Sequence, residues 1–337
     1  MIKDCIQALF SGEDLSFDVA GAAMNEIMDG VATPAQFGAF VSALGCKGET
    51  PDEIAGMAQV MRSKSLRVEC DYPVLDTCGT GGDGSNSFNI STAAAFVAAG
   101  LGIKVAKHGN RAMSGSSGSA DVLEALGAKI DLGPKSVERC LSETGFGFMF
   151  AQRFHPSMKF AAGPRKEIGI RTVFNILGPL TNPAQSKFQL IGVSDPEIGL
   201  KMIQVLRILE SQHAIVVHGD DGLDELSLSG RTRVWELKDG SITEYYVTPA
   251  DLGLPVVDNA DIKIDSPGES AKLLEKVLSG DDTPAKYLVL ANAGAALLAA
   301  NRTESLIDGV NLAKQSIDTG SATKILESFI KLSNTLD

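Results

Sequence analysis

The sequence predicts an α/β protein in which a small all-α N-terminal domain precedes a larger domain with a mostly parallel central sheet. Three observations carry that expectation. Over residues 1–70, apolar positions recur at helical spacing between helix-capping signals. From Tyr72 onward, short apolar strand candidates alternate with helical segments, the pattern of right-handed βαβ units. Between the first such strand and its helix lie four glycines in six residues, Gly79 to Gly84, too glycine-dense for a good helix or strand.

The elements follow in order. Thr33-Pro34-Ala35-Gln36 reads as a capping box with proline at the first helical position, where its missing N–H is no loss. Phe37, Phe40, Val41 and Leu44 follow at helical spacing. Thr50-Pro51-Asp52-Glu53 repeats the device ahead of Ile54, Met57, Val60 and Met61. "YPVLDTC" is the first strand, with a helix from about Thr92. "IKVAKHG" is the next strand, followed by the helix "ADVLEALG". "FQLIGVSD" is a strand, "PEIGLKMIQVLRILES" a helix opened by Pro196, and "HAIVVHGDD" a further strand. "TRVWELKDGSITEYYV" predicts a hairpin about Asp239-Gly240. Ser266-Pro267-Gly268-Glu269 caps another helix. Tyr287 to Ala300 reads as a buried helix, too short to cross a bilayer and interrupted by Asn292.

Composition narrows the function. Thirty Lys and Arg against 42 Asp and Glu give a net charge of −12, so the chain as a whole attracts neither nucleic acid nor an anionic membrane. An anionic ligand must be held by local groups. The five cysteines are scattered, odd in number and without CxxC spacing, as expected of reduced thiols in a cytoplasmic protein. The N-terminus has no signal-peptide pattern.

Strand, glycine turn and helix start together make an anion site, because convergent backbone N–H groups and the helix N-terminus both favour negative charge. "GTGGDG" has neither the dinucleotide nor the NTPase spacing. Asn89, Ser91 and Thr92 stand at the helix start, where such residues commonly serve as caps but where they also reach a bound phosphate. Asp83 could hold a sugar hydroxyl or a magnesium-bound water. The loop "KHGNRAMSGSSGSAD" follows the next strand and emerges at the same sheet edge. Its Lys107, His108, Asn110 and Arg111 make it a second clamp. "HGDDGLDELS" supplies Asp220, Asp221, Asp224 and Glu225 at a third strand end, a carboxylate supply suited to magnesium.

"DTCGTGGDGSNSFNIST", "KHGNR", "GSADVLEALG", "HPSMK", "GPRKEIGIRTVFNILGPLTNP", "QLIGVSDP" and "DGLDELS", in this order, resemble the anthranilate phosphoribosyltransferases. The resemblance covers essentially the whole chain. It implies transfer of phosphoribosyl from phosphoribosyl pyrophosphate (PRPP) to the amine of anthranilate, in tryptophan biosynthesis. It assigns Gly79, Gly82, Asp83, Ser87, Asn89, Ile90, Ser91, Thr92, Lys107, His108, Gly109, Asn110, Arg111, Ser114, Gly115 and Ser119 to PRPP. Gly79, Asn110, His155 and Arg165 fall to anthranilate, and Ser91, Asp224 and Glu225 to a pair of Mg2+ ions. It implies a helical domain of residues 1–70, with part of 165–185 folding back onto it, an α/β domain of residues 71–337, and a homodimer packed through the helical domains.

Breaking the anomeric C–O bond builds positive charge on ribose and negative charge on pyrophosphate, so the protein's task is to stabilise the leaving group and align the amine. An aromatic amine already carries a nucleophilic lone pair, and no catalytic acid or base is assigned. Arg165 matches the anthranilate carboxylate in geometry. Two other readings share the scaffold: a pyrimidine nucleoside phosphorylase, against which stands the Asp224-Glu225 pair, and a non-catalytic nucleic-acid-binding relative, against which stands the charge. One departure is local. Relatives commonly carry Lys or Arg where this chain has Ser116, so a basic side chain near the PRPP phosphates is missing.

Overall fold

The computed structural model describes residues 1–337 apart from Met113 and Ser114. Four helices open the chain: α1 (Ile2–Phe10), α2 (Phe17–Met28), α3 (Pro34–Lys47) and α4 (Pro51–Ser63). Both expected capping boxes form. Thr33 Oγ1 accepts from the Gln36 N–H while Gln36 Oε1 accepts from the Thr33 N–H, and Thr50 and Glu53 exchange the same pair of bonds.

The remaining elements are β1 (Leu75–Gly79), α5 (Ile90–Ala99), β2 (Val105–Gly109), α6 (Ser119–Ala125), α7 (Pro134–Thr144), β3 (Phe146–Phe150), α8 (Ala151–Phe154), α9 (Lys159–Ile168), α10 (Phe174–Leu177), β4 (Phe188–Gly192), α11 (Pro196–Ile208), β5 (His213–Gly219), β6 (Thr232–Lys238), β7 (Ser241–Val247), α12 (Pro267–Leu278), α13 (Pro284–Ala299), α14 (Leu306–Asp318) and α15 (Ser321–Ser333). They build one seven-stranded sheet in the order β3-β2-β1-β4-β5-β6-β7. The first five strands of that order run parallel, and β6 and β7 add an antiparallel hairpin. The hairpin turns at Asp239 (φ 49°) and Gly240 (φ 79°), the two left-handed positions of a tight two-residue turn.

Strand β3 was not anticipated. "FGFMF" is buried throughout, so it has no alternation to mark it. Phe146 packs between Phe96 and Phe329, with ring centroids 4.4 and 4.8 Å away.

The core lies in two masses, one on each face of the sheet. One joins α5 to α12–α15, and α13 is buried throughout from Leu288 to Ala299. The other joins α1–α4 to α11, to the opposite face of β4–β6, and to Ala161 and Val173–Leu180. Phe174 of α10 meets Phe37 of α3 at 5.3 Å between ring centroids. The segment carrying Arg165 and Arg171 is thereby anchored on the helical part, and Arg171 reaches from it to the glycine loop at the sheet edge.

Candidate active site

The strand order reverses between β1 and β4, since the chain winds from β1 through β2 to β3 on one side and from β4 to β5 on the other. The loops after these two strands part company there, opening the crevice where α/β sheets bind ligands. Gly79 and Gly192, the last residues of β1 and β4, are register partners at its floor. A Cβ on Gly79 would lie 2.5 Å from Asp224 Oδ2, and one on Gly192 would overlap the Asp224 carbonyl. Both are bare because the loop after β5 crosses them.

That loop is pinned from beneath. Asn292, buried in α13, accepts the Leu226 N–H at 2.9 Å and donates to the Leu226 carbonyl at 3.2 Å. Asp224 Oδ2 accepts the Gly81 N–H at 2.7 Å. The glycine loop thus does two jobs. Gly79 admits the carboxylate, while Gly81 and Gly84 (φ 64° and 71°) have open space where a side chain would be. Gly82 (φ 77°) leaves room for Arg171, whose guanidinium donates to the carbonyls of Gly82 (3.2 Å) and Gly81 (3.4 Å).

The strands hold their polar residues in a connected set. Asp76 accepts from the His108 N–H at 3.2 Å and from Asn182 Nδ2 at 2.7 Å, and Asn182 also donates to the Ala106 carbonyl. Buried Lys107 reaches behind β1 to donate to the Thr77 carbonyl and to Ser91 Oγ. The Thr77 hydroxyl donates to the Ser91 carbonyl at 2.9 Å. Asn89 does not cap α5. Its side chain instead donates to the Ser117 carbonyl and accepts from the hydroxyls of Ser117 and Ser270, tying the two phosphate-loop candidates together. The α5 N-terminus therefore keeps its positive end free of a side-chain cap.

The electrostatics are unbalanced toward negative charge. Loss of water, then the neighbouring Asp83 carboxylate, pushes Asp224 up to about 7. Burial and then Asp224 push Glu225 well above the carboxylate range, against opposing help from Lys107 and the Ser91 N–H. Burial lowers Lys107 in turn. Buried polar atoms without partners gather here: Asp83 Oδ2, Thr92 Oγ1, and Nε2 of both His108 and His155. Such atoms are uncommon, and each calls for a missing partner. No ready-made cage of three or more acidic, His or Cys side chains exists among the described residues. Two carboxylates, the Ser91 hydroxyl and the orphaned Asp83 oxygen are an all-oxygen, incomplete set. That fits Mg2+, which keeps water and takes ligand phosphate oxygens alongside one or two carboxylates.

On the other side, the His108 and His155 rings lie 5.0 Å apart. Burial lowers them to about 3 and about 4, so both are neutral at physiological pH. His108 Nδ1 sits 3.3 Å from the Gly178 carbonyl. The His108 ring thus lies between His155 and the Gly178 carbonyl. Arg165 stacks over Phe174 at 5.3 Å, and burial lowers its pKa.

The basic loop keeps less free charge than its sequence suggests. Arg111 is bound to Asp121 and Glu124 of α6 and held above its usual pKa by them. Asn110 commits its carbonyl to the Ala120 N–H and its side chain to the Arg111 N–H. A Cβ on Gly109 would strike Ser119, the first residue of α6. Gly115 lies open, Ser116 Oγ is 3.4 Å from Asn86 Oδ1, and Ser114 falls outside the described residues. Sequence reasoning missed Arg171, Asn182 and Ser270, and used Asn292 only to exclude a membrane span. The one signal available was that Asn292 is polar within an apolar run.

A helical bundle packed against a mostly parallel sheet, with an anion-favouring switch point, is the architecture of a glycosyl transferase family. Two family models divide the chain accordingly: the glycosyl transferase family helical bundle domain over residues 3–65 and the glycosyl transferase family a/b domain over residues 71–323. Anthranilate phosphoribosyltransferase from Dehalococcoides mccartyi is 54% identical, over 100% of this chain and 99% of that protein. The Roseiflexus enzyme of the same name is 53% identical over 98% of each. The crystal structure of the Thermus thermophilus enzyme superimposes with a TM-score of 0.93 at 42% identity, covering 98% of this chain and 99% of that one. The Saccharomyces cerevisiae enzyme in complex with PRPP and Mg gives 0.91 at 30% identity, over 99% and 98%. The chain belongs to the anthranilate phosphoribosyltransferase family.

Proposed function

We propose that this chain transfers the phosphoribosyl group of PRPP to the amine of anthranilate, giving N-(5-phosphoribosyl)anthranilate and pyrophosphate. The observation that carries the reading is the convergence of orphaned oxygens and proton-seeking carboxylates on an uncapped helix N-terminus at the strand switch point. The yeast relative solved with PRPP and Mg, and the same enzyme solved with 4-fluoroanthranilate, support it.

In this reading Asp224, Glu225 and Ser91 hold Mg2+, as a pair of ions with PRPP. The metal, when bound, supplies positive charge to the departing pyrophosphate. The amides of the glycine loop and of the α5 N-terminus serve the same developing charge without reorganising. Arg165 pairs with the anthranilate carboxylate. His108 and His155, neutral and apolar on their faces, flank the aromatic ring and exclude water. Arg171 holds the glycine loop to the segment that carries Arg165, so donor and acceptor sites are set relative to each other. No group is required to take the amine proton before attack.

The assembly reading is a homodimer through the helical part, where Phe10 and Val31 stand 74% and 67% exposed. Five unpaired cysteines support a reducing, cytoplasmic setting. Residues 1–70 with part of 165–185, and 71–337, are the two bodies. Incubation with PRPP, Mg2+ and anthranilate, following loss of anthranilate fluorescence, tests the activity. A chelator should abolish it, and no loss of fluorescence with Mg2+ present would overturn the proposal.

A further inference from the structure

The cations near the phosphate loops are mostly committed elsewhere. Lys107 is buried behind β1 on the Thr77 carbonyl and Ser91. Arg111 is neutralised by Asp121 and Glu124. Arg171 is engaged by glycine-loop carbonyls, and position 116 carries no charge.

Among the described residues, Lys263 is a cation beside these loops that is not committed. Residues 262–264 run antiparallel to residues 86–88. The Phe88 N–H donates to the Ile262 carbonyl at 3.0 Å, and the Ile264 N–H donates to the Asn86 carbonyl at 2.9 Å. Between these bonds Ser87 and Lys263 are bridge partners. Directly opposed residues of an antiparallel pair project to the same face, so the Lys263 side chain stands beside that of Ser87. The two ends of this short pairing lead back into the same network. Asn86 Oδ1 lies against Ser116, and Asn89 is held by Ser270, a few residues beyond Lys263. Lys263 is exposed and takes part in no ion pair among the described residues.

We propose that Lys263 is a PRPP-binding residue, a lysine outside the phosphate loops whose ammonium pairs with a phosphate of PRPP on the face that Ser87 presents. This rests on the PRPP reading of the site. The strand pairing fixes the Lys263 backbone to the loop that contacts the ligand, so the lysine travels with it. An acidic protein thereby places an uncommitted positive charge beside its anion site.

The experiment is calorimetric titration of PRPP with Mg2+ into wild type, Lys263→Ala and Lys263→Arg at two ionic strengths, with steady-state kinetics alongside. Lys263→Ala should weaken PRPP about two- to fivefold at low salt, the range of an exposed charge contact. The loss should shrink as salt rises. Lys263→Arg should restore affinity, and kcat and the anthranilate KM should stay near wild type, which a merely structural lysine would not secure. Ribose 5-phosphate and inorganic pyrophosphate, titrated separately, locate the contact. Weakened binding of either supports it, and of neither overturns it. Equal PRPP affinity in wild type and Lys263→Ala at low salt also overturns it. Failure of the wild type itself to bind PRPP would instead overturn the reading on which it rests.

Discussion

Glu53 and Glu225 are both buried glutamates, and the protein treats them oppositely. Glu53 in the helical part accepts from the N–H groups of Thr50 and Leu15, at 2.8 and 2.9 Å, and from Lys47 Nζ at 3.1 Å. Its charge is met on every side, and the same carboxylate closes the α4 capping box. Glu225 at the sheet edge faces Asp224 and, beyond it, Asp83. Only a buried lysine and one backbone N–H favour its charge. The first arrangement is complete as folded and serves stability. The second is costly as folded, and the cost is relieved by a proton or by a cation that arrives, an imbalance that binding sites often carry.

The comparison can be broken at either end. The largest effect is expected from Asp224→Asn with Glu225→Gln, which should cut turnover about a thousandfold, matching the several kcal/mol a catalytic metal supplies. Because the two carboxylates repel each other, the metal-free variant should melt no lower than wild type. Activity surviving at limiting Mg2+ would remove them from the metal site. Glu53→Ala should do the reverse, losing roughly 3 kcal/mol of stability as two backbone N–H groups are stranded and Lys47 is left with Asp14 and the Gly48 carbonyl alone. Urea unfolding reads the loss, and kcat per folded molecule should hold.

Within the site, Arg165→Ala should raise the anthranilate KM about ten- to a hundredfold, the worth of roughly 1.5–3 kcal/mol for a charge-assisted bond. The PRPP constant should change far less. An equal loss for PRPP would make Arg165 a phosphate ligand or a structural residue. The smallest effect belongs to Ser116→Lys, which should tighten PRPP by about 0.2–1 kcal/mol at low salt and less at high salt. No change at low salt would mean that position 116 points away from the phosphates.

Much of this architecture is written locally and could be read so. Thr33-Pro34 and Thr50-Pro51 announce their helices, Asp239-Gly240 its hairpin, and the glycine run its place after a strand. The partners of those glycines are not local. Gly79 and Gly192 look like loop flexibility in the sequence. In the fold they are clearance for Asp224, which lies 145 residues after the first and 32 after the second. Asn182 reaching Asp76, Asn292 holding Leu226 and Lys263 facing Ser87 are likewise products of the sheet order, which no spacing rule exposes. Arg111 has partners that its own loop does not advertise. In sequence it stands beside Lys107 and His108, and in the fold α6 brings Asp121 and Glu124 against it.

The carboxylates at the switch point are proposed as a site for magnesium with PRPP. Calorimetric titration of PRPP into the protein, with Mg2+ and then with EDTA, tests it most directly. Saturable binding is expected with Mg2+, and a loss of at least about tenfold in affinity with EDTA, because without the metal the phosphates and the carboxylates of Asp83, Asp224 and Glu225 have no cation to share. Equal PRPP affinity in Mg2+ and in EDTA would contradict it.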